Sequence, residues 1–136
     1  MSITPKIIKI LEKSKTIAVV GASRNPSKAA HSIPKYLKEH GYTIILVNPK
    51  AETILEEKVY PSLAKIPVQV DIVDIFRPSE ETSKVVEEAV KLKPKLIWLQ
   101  LGIINDKAKE IAEKHGIPFV MDKCMKIEHM RLFHSH

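Results

Sequence analysis

Short apolar runs rich in Val, Ile and Leu alternate along this chain with longer stretches whose apolar residues recur every three or four positions. The runs at 16–20, 43–47, 71–75, 95–99 and 117–121 are nearly continuous in apolar character. That predicts strands covered on both faces, as in a parallel sheet between helical layers. The helical stretches mark their own ends. Thr4 followed by Pro5 predicts a cap and first-turn proline opening a helix to about Lys13. A second helix is expected from about Ala29 to His40, with Ala29, Ile33 and Leu37 on one stripe, Pro34 near its start and Gly41 as terminator. Ser79 is placed to cap a third, with Glu80 and Glu81 in its first turn, Lys91 in its last, and Val85, Val86, Ala89 and Val90 as its buried face. Asn105 is placed to cap a fourth, which packs through Ala108, Ile111 and Ala112 and ends at Gly116. A short fifth helix is expected from about Met125 to Leu132.

This alternation predicts the α/β class: a Rossmann-like, doubly wound three-layer sandwich around a mainly parallel five-stranded sheet in the order 3-2-1-4-5. Residues 48–70 read as an irregular connection with one helical turn near 62–65, between Pro61 and Pro67. Neither an internal repeat nor a linker is visible, so one domain is expected over residues 1–136, with its core at about 15–132.

Composition narrows the function classes. No apolar run approaches the length of about 20 residues that a membrane span needs. Residues 1–6 lack the basic region, apolar stretch and cleavage site of a signal peptide. A single cysteine, Cys124, excludes an internal disulfide framework and fits a reducing compartment, so a cytoplasmic location is expected. The formal charge of +6 suits a small polyanion as well as it suits nucleic acid. With seven aromatics, no arginine-rich stretch and no base-reading motif, the composition argues against nucleic acid.

Two of the four glycines have a structural explanation, since Gly41 and Gly116 end helices. The other two, Gly21 and Gly102, follow the first and fourth strands. In the expected order these strands are neighbours at the topological switch point, so both glycines are expected at the rim of one ligand-binding cleft. The loop Gly21-Ala22-Ser23-Arg24-Asn25-Pro26-Ser27-Lys28 can cradle a phosphate with its backbone amides, the Ser23 hydroxyl and the start of the next helix, while Arg24 and Lys28 supply counter-charge. The alternative is an ordinary tight turn, for the full glycine fingerprint of dinucleotide sites is missing. The second strand ends in Asn48-Pro49-Lys50, with no carboxylate before Glu52. A nicotinamide dinucleotide site needs an acidic residue there, whereas a cation suits a phosphorylated ribose. Two ligands remain: NADP, with its 2′-phosphate, or coenzyme A, with its 3′-phosphate.

Further stretches choose between them. Val20-Gly21-Ala22-Ser23 with Pro26, Gly41-Tyr42, Val47-Asn48-Pro49, Val73-Asp74-Ile75-Phe76-Arg77, Trp98-Leu99-Gln100-Leu101-Gly102-Ile103 and Met121-Asp122-Lys123-Cys124-Met125-Lys126 with Glu128-His129 occur in specific order and spacing. In these the chain resembles the small stand-alone CoA-binding domain proteins, related in fold to the CoA-binding domain of succinyl-CoA synthetase α subunits. The resemblance runs from about Lys15 to Leu132. It implies that Gly21, Ala22, Ser23 and Arg24 wrap the pyrophosphate, and that Lys50, beside Asn48 and Pro49, meets CoA. It places Phe76 and Arg77 beside the adenine and phosphates, with core packing and a surface salt bridge as their respective alternatives. Gln100, Leu101, Gly102 and Ile103 would close the opposite wall toward the pantetheine arm, and Trp98 is assigned to the core.

Cys124 follows the fifth strand and can pair with the thiol of CoA, or else is a buried, inert cysteine. Cys124, Glu128, His129, His134 and His136 show no standard metal-ligand spacing, so no metal is expected. No nucleophile–base pair is recognisable, and neither His31 nor Asp74 has an identifiable partner. The leading reading is a non-enzymatic or accessory module that binds CoA or an acyl-CoA. A small NADP-dependent reductase is the alternative, and a nucleic-acid adaptor the third. A protein partner or a homo-oligomer is left open.

Overall fold

A computed structural model of the chain describes residues 3–133. The helices are α1 (Pro5–Lys13), α2 (Ala29–Glu39), α3 (Thr82–Ala89), α4 (Asp106–Lys114) and α5 (Met125–Phe133). The strands are β1 (Thr16–Val20), β2 (Thr43–Val47), β3 (Thr53–Ile54), β4 (Glu57–Tyr60), β5 (Ile72–Ile75), β6 (Leu96–Leu99) and β7 (Phe119–Val120). They form one sheet in the order β3-β4-β2-β1-β5-β6-β7, in which every pairing is parallel except β3 with β4. Helices cover both faces, so the Rossmann-like α/β class holds.

Among the described residues the expected five strands are seven, and two expected neighbourhoods are wrong. The missed parallel strand is β4, hidden in residues 48–70 because Glu57 and Lys58 break its apolar character and only two of its residues, Val59 and Tyr60, pair with β2. Counting β4 as the third parallel strand gives the six parallel strands the order 3-2-1-4-5-6 of a dinucleotide-binding fold. The strand expected beside β2 therefore lies beside β1: β5 pairs with β1 from Ile17↔Ile72 to Val20↔Ile75, and β6 sits one place further out. The switch point lies between β1 and β5.

Alternation of side chains along the central strands divides the core in two. Ile17, Val19, Ile72, Leu96 and Trp98 pack under α1, α2 and α5 through Leu11, Ile33, Leu37 and Met125. Ala18, Val20, Val73, Ile75, Ile97 and Leu99 pack under α3 and α4 through Val86, Ala89, Ala108 and Ala112. Full burial of about a dozen such side chains, at roughly 1.5–3 kcal/mol each, is the main force holding helices to sheet. Thr4 caps α1 by accepting from Ile7 N–H at 3.3 Å, and Asn105 caps α4 by accepting from Ala108 N–H at 3.1 Å, both as expected. Ser79 does not cap. Its hydroxyl instead accepts from Ile104 N–H at 3.0 Å, and the third helix begins as a 3-10 turn over Ser79–Glu81. Ala29, expected on one stripe with Ile33 and Leu37, is exposed at the wall of an open hollow.

The β3–β4 hairpin turns at Leu55 and Glu56, whose φ values of 53° and 63° are left-handed. Lys38 on α2 donates to Leu55 O at 3.1 Å and pairs with Glu57 at 3.0 Å, holding the turn against the helix. Left-handed backbone costs a residue with a Cβ about 1–2 kcal/mol, and the Glu56 side chain is exposed. Glu56→Gly is accordingly expected to stabilise the fold by about 1 kcal/mol, measured as a higher denaturant midpoint at unchanged slope.

Candidate functional site

The switch point brings together the ends of β1, β2 and β5. Val20 O accepts from Phe76 N–H at 2.8 Å, and Gly21 N–H donates to Val47 O at 3.0 Å. Gly21 has φ +89°, and a Cβ on it would lie 2.5 Å from Phe76 O, so the two chain segments touch through a residue without a side chain. Beyond Gly21 the loop builds its own supports. Ser23 Oγ accepts from Asn25 N–H, Asn25 Oδ1 accepts from Ser27 N–H, and Ser23 N–H donates to Ala30 O. Asn48 joins the loop after β2 to this one, donating from Nδ2 to Ala22 O at 2.8 Å while its Oδ1 accepts from Lys50 N–H at 2.8 Å. Helix α2 then starts with no side-chain cap and no acidic residue in its first turn. His31 and Ser32 N–H donate to Lys28 O, but no side chain caps the first amides and no acid offsets the positive end of the dipole, the arrangement that attracts an anion.

Three adjoining hollows run along this edge. The first, of about 500 Å³, lies over the loop; its walls include Gly21–Arg24, Lys28, Asn48, Lys50, Phe76 and Arg77. Four cations and no carboxylate line it. The second, of about 460 Å³, is walled by Val47, Pro49, Pro61, Leu63 and Val85, and shares Gly21, Asn48, Lys50 and Arg77 with the first. The third, of about 560 Å³, is mainly apolar; Ala29, Ala30, Ile33, Phe76, Leu101 and Ile103 line it together with Gln100 and Cys124. Arg77 borders all three, and its guanidinium meets Glu81 at 2.7 Å in an exposed i,i+4 pair. An exposed pair of this kind is worth about 0–1 kcal/mol, so a phosphate can take its place at little cost.

Most of the candidate residues therefore lie on one continuous crevice. Gly102 does not line any of the three hollows; it completes a turn with φ +86° and donates its N–H to Asp122 Oδ1 at 2.8 Å. The expectation that Gly21 and Gly102 share a rim rested on β1 and β6 being neighbours, and β5 lies between them. Phe76, half-buried, lines the first and third hollows but not the second. Trp98 is fully buried and donates to Lys123 O at 2.8 Å. His31 Nδ1 is bonded to Ser23 O, and Asp74 accepts from Gln100, so both have partners that the sequence did not reveal. Glu128 pairs with Arg131, and His129 Nδ1 meets Tyr36 Oη at 2.8 Å. His134 and His136 lie outside the described residues; among those described, no group of three metal-ligating side chains converges. Pro61, Leu63 and Val85 were missed. Recognition of β4 would have placed Pro61 and Leu63 at the functional edge, since they follow directly from that strand.

A family model described as a CoA binding domain matches residues 15–130. The protein YneT of Bacillus subtilis is 38% identical over 124 residues, covering 91% of this chain and 92% of its own length. A solved structure of a protein from Pyrococcus horikoshii superposes with a TM-score of 0.91 at 42% identity, covering 95% of this chain and 92% of that one. The ADP-forming acetate–CoA ligase I of Archaeoglobus fulgidus is 33% identical over 121 residues, covering 82% of this chain; the match spans 18% of that enzyme.

The contact at Gly21 makes a direct test of how the site is built. Gly21→Ala adds a methyl group 2.5 Å from a backbone oxygen in a left-handed conformation. It is expected to cost about 2 kcal/mol or more, seen as a lowered denaturant midpoint, whereas alanine at Gly102, with open space around it, pays for its conformation alone and costs less.

Proposed function

Since the chain belongs to the CoA-binding domain family, we propose that it binds coenzyme A or an acyl-CoA along this crevice, as a non-enzymatic or accessory module. One observation carries the reading: Arg24, Lys28, Lys50 and Arg77 line a single hollow that contains no carboxylate, over the uncapped start of α2. A pyrophosphate seated there meets backbone amides and cations fixed on three different loops. Adenosine then enters the hollow between Pro49, Leu63 and Val85, with Lys50 at the ribose 3′-phosphate. The pantetheine arm follows the apolar hollow past Phe76 and Ile33, which Cys124 also lines. In this arrangement Phe76 packs on the pantetheine side and leaves the adenine to aliphatic walls.

The ligase reaction named for the Archaeoglobus relative is not part of the proposal, because the matched segment is a minor part of that enzyme. A reductase would use the same cations for the 2′-phosphate of NADP, so ligand discrimination tests the reading. Calorimetric titration is expected to give tighter binding of CoA than of NADP. Lys50→Ala is expected to weaken CoA about tenfold and dephospho-CoA much less, because only CoA presents the 3′-phosphate. Preference for NADP, or an equal loss for CoA and dephospho-CoA, would overturn the assignment.

The position of Cys124 yields a second expectation. With CoA disulfide, the Cys124 thiolate attacks one sulfur and expels the other half as CoA thiolate, so no external oxidant is needed. Intact-protein mass spectrometry should then show a single CoA-sized adduct that reductant removes and Cys124→Ser abolishes. Unmodified protein after prolonged incubation counts against a pantetheine arm that reaches this residue.

A further inference from the structure

Behind the apolar hollow, the turn that carries Cys124 is held at three points. Gly102 N–H donates to Asp122 Oδ1 at 2.8 Å, Trp98 Nε1–H donates to Lys123 O at 2.8 Å, and Met125 N–H donates to Gln100 Oε1 at 3.3 Å. Gln100 also donates from Nε2 to Asp74 Oδ1. One side-chain amide thus connects the first amide of α5 to a carboxyl group in the middle of the sheet. Asp74 is wholly buried, and its second oxygen, Oδ2, has no hydrogen-bond partner among the described residues. A buried polar atom left without a partner is costly, and far more so once it is charged.

We infer that Asp74, Gln100 and the start of α5 form a proton-operated latch, which holds the Cys124 wall of the hollow firm while Asp74 is neutral and loosens it when Asp74 ionises. Burial pushes the Asp74 carboxyl up to about 7, against the smaller opposing effect of the Gln100 bond. Neutral Asp74 keeps the Gln100 donor at Oδ1 and carries its proton on Oδ2, so it buries one unpaired O–H but no charge. Ionised Asp74 demands donors at Oδ2 as well, and it obtains them by admitting water or by drawing neighbouring groups inward. Among the described residues the one polar side chain bonded to it is Gln100, so the strain of ionisation passes to the amide that anchors α5. The latch is therefore closed below about pH 7 and opens as pH rises through that value.

Ionisable groups on the elements packed over this face include Lys9 and Glu12 on α1, His31, Tyr36, Lys38 and His40 on or after α2, Tyr42 before β2, and Cys124, Lys126, Glu128, His129 and Arg131 at α5. Tyr36 Oη is bonded to His129, His40 Nδ1 to Tyr36 O, Tyr42 Oη to Leu11 O, and Glu128 to Arg131. None of them is among the groups that set the state of Asp74. The latch does not depend on which ligand the crevice takes, so it can be tested on ligand-free protein.

Trp98 is the only tryptophan and lies opposite Asp74 in the strand register. Its emission, followed from about pH 5 to pH 9, is expected to show a step centred near pH 7, accompanied by an increase of several-fold in Cys124 alkylation beyond that of Asp74→Asn. Asp74→Asn keeps the acceptor for Gln100 but cannot ionise, and should lack the emission step. Gln100→Leu removes the donor that favours the charged form, and should move the step to higher pH. Carbon-detected NMR of the Asp74 carboxyl in the wild-type protein gives the same midpoint without any substitution. A step that persists in Asp74→Asn, a step unmoved in Gln100→Leu, or a carboxyl titrating at the ordinary aspartate value overturns the proposal.

Discussion

The backbone of Gly21 rests against the carbonyl of Phe76, and the whole crevice depends on that approach. Through it the ends of β1 and β5 meet at the switch point, and Gly21 N–H fastens the end of β2 to them. The loop over α2 leaves from this junction, and Asn48 ties the loop after β2 back to it. Lys50, Arg24 and Arg77 therefore come from three segments whose relative positions are set by backbone bonds. A ligand meeting them pays little to organise the scaffold, although the cationic side chains themselves are exposed and must still be ordered.

The electrostatics follow from what is missing around the loop as much as from what is present. Helix α2 begins without a capping side chain and without an acid in its first turn, whereas α1 and α4 are both capped. The uncapped start leaves donors free where the cations gather. The acids at this edge, Glu81 and Glu88, lie in the neighbouring hollow, where Glu81 holds Arg77 in an exposed pair. A phosphate displacing Glu81 exchanges one anion for another at the same guanidinium.

Much of this was legible in the residues, for identifiable reasons. Continuous apolar runs located β1, β2, β5, β6 and β7, and amphipathic periodicity, with true caps at α1 and α4, located the helices, because burial and unsatisfied helix ends impose strong local patterns. The loop after β1 and Lys50 were legible as neighbours on one edge because glycine, small residues and cations cluster where strands end. Strand β4 was not, since its charged first half and two-residue pairing leave no run to see. That single omission put β5 outside β2 instead of beside β1, left β6 and β7 one place too far in, and drew Gly102 to a rim that it does not share. The partners of Asp74 and Ser79 were hidden for another reason: Gln100 and Ile104 are 26 and 25 positions away in sequence, brought near only by the sheet and its loops.

The sheet is bordered on both sides by its shortest members, β3 and β7, of two residues each. A second chain seeking to extend the ladder would find two rungs at either margin, too few to offset the entropy of docking. The long, apolar strands that could template such growth are all interior. The architecture that gathers a binding edge at one end of the sheet thus also closes off its flanks, which favours a dispersed protein at high concentration over a fibrous one.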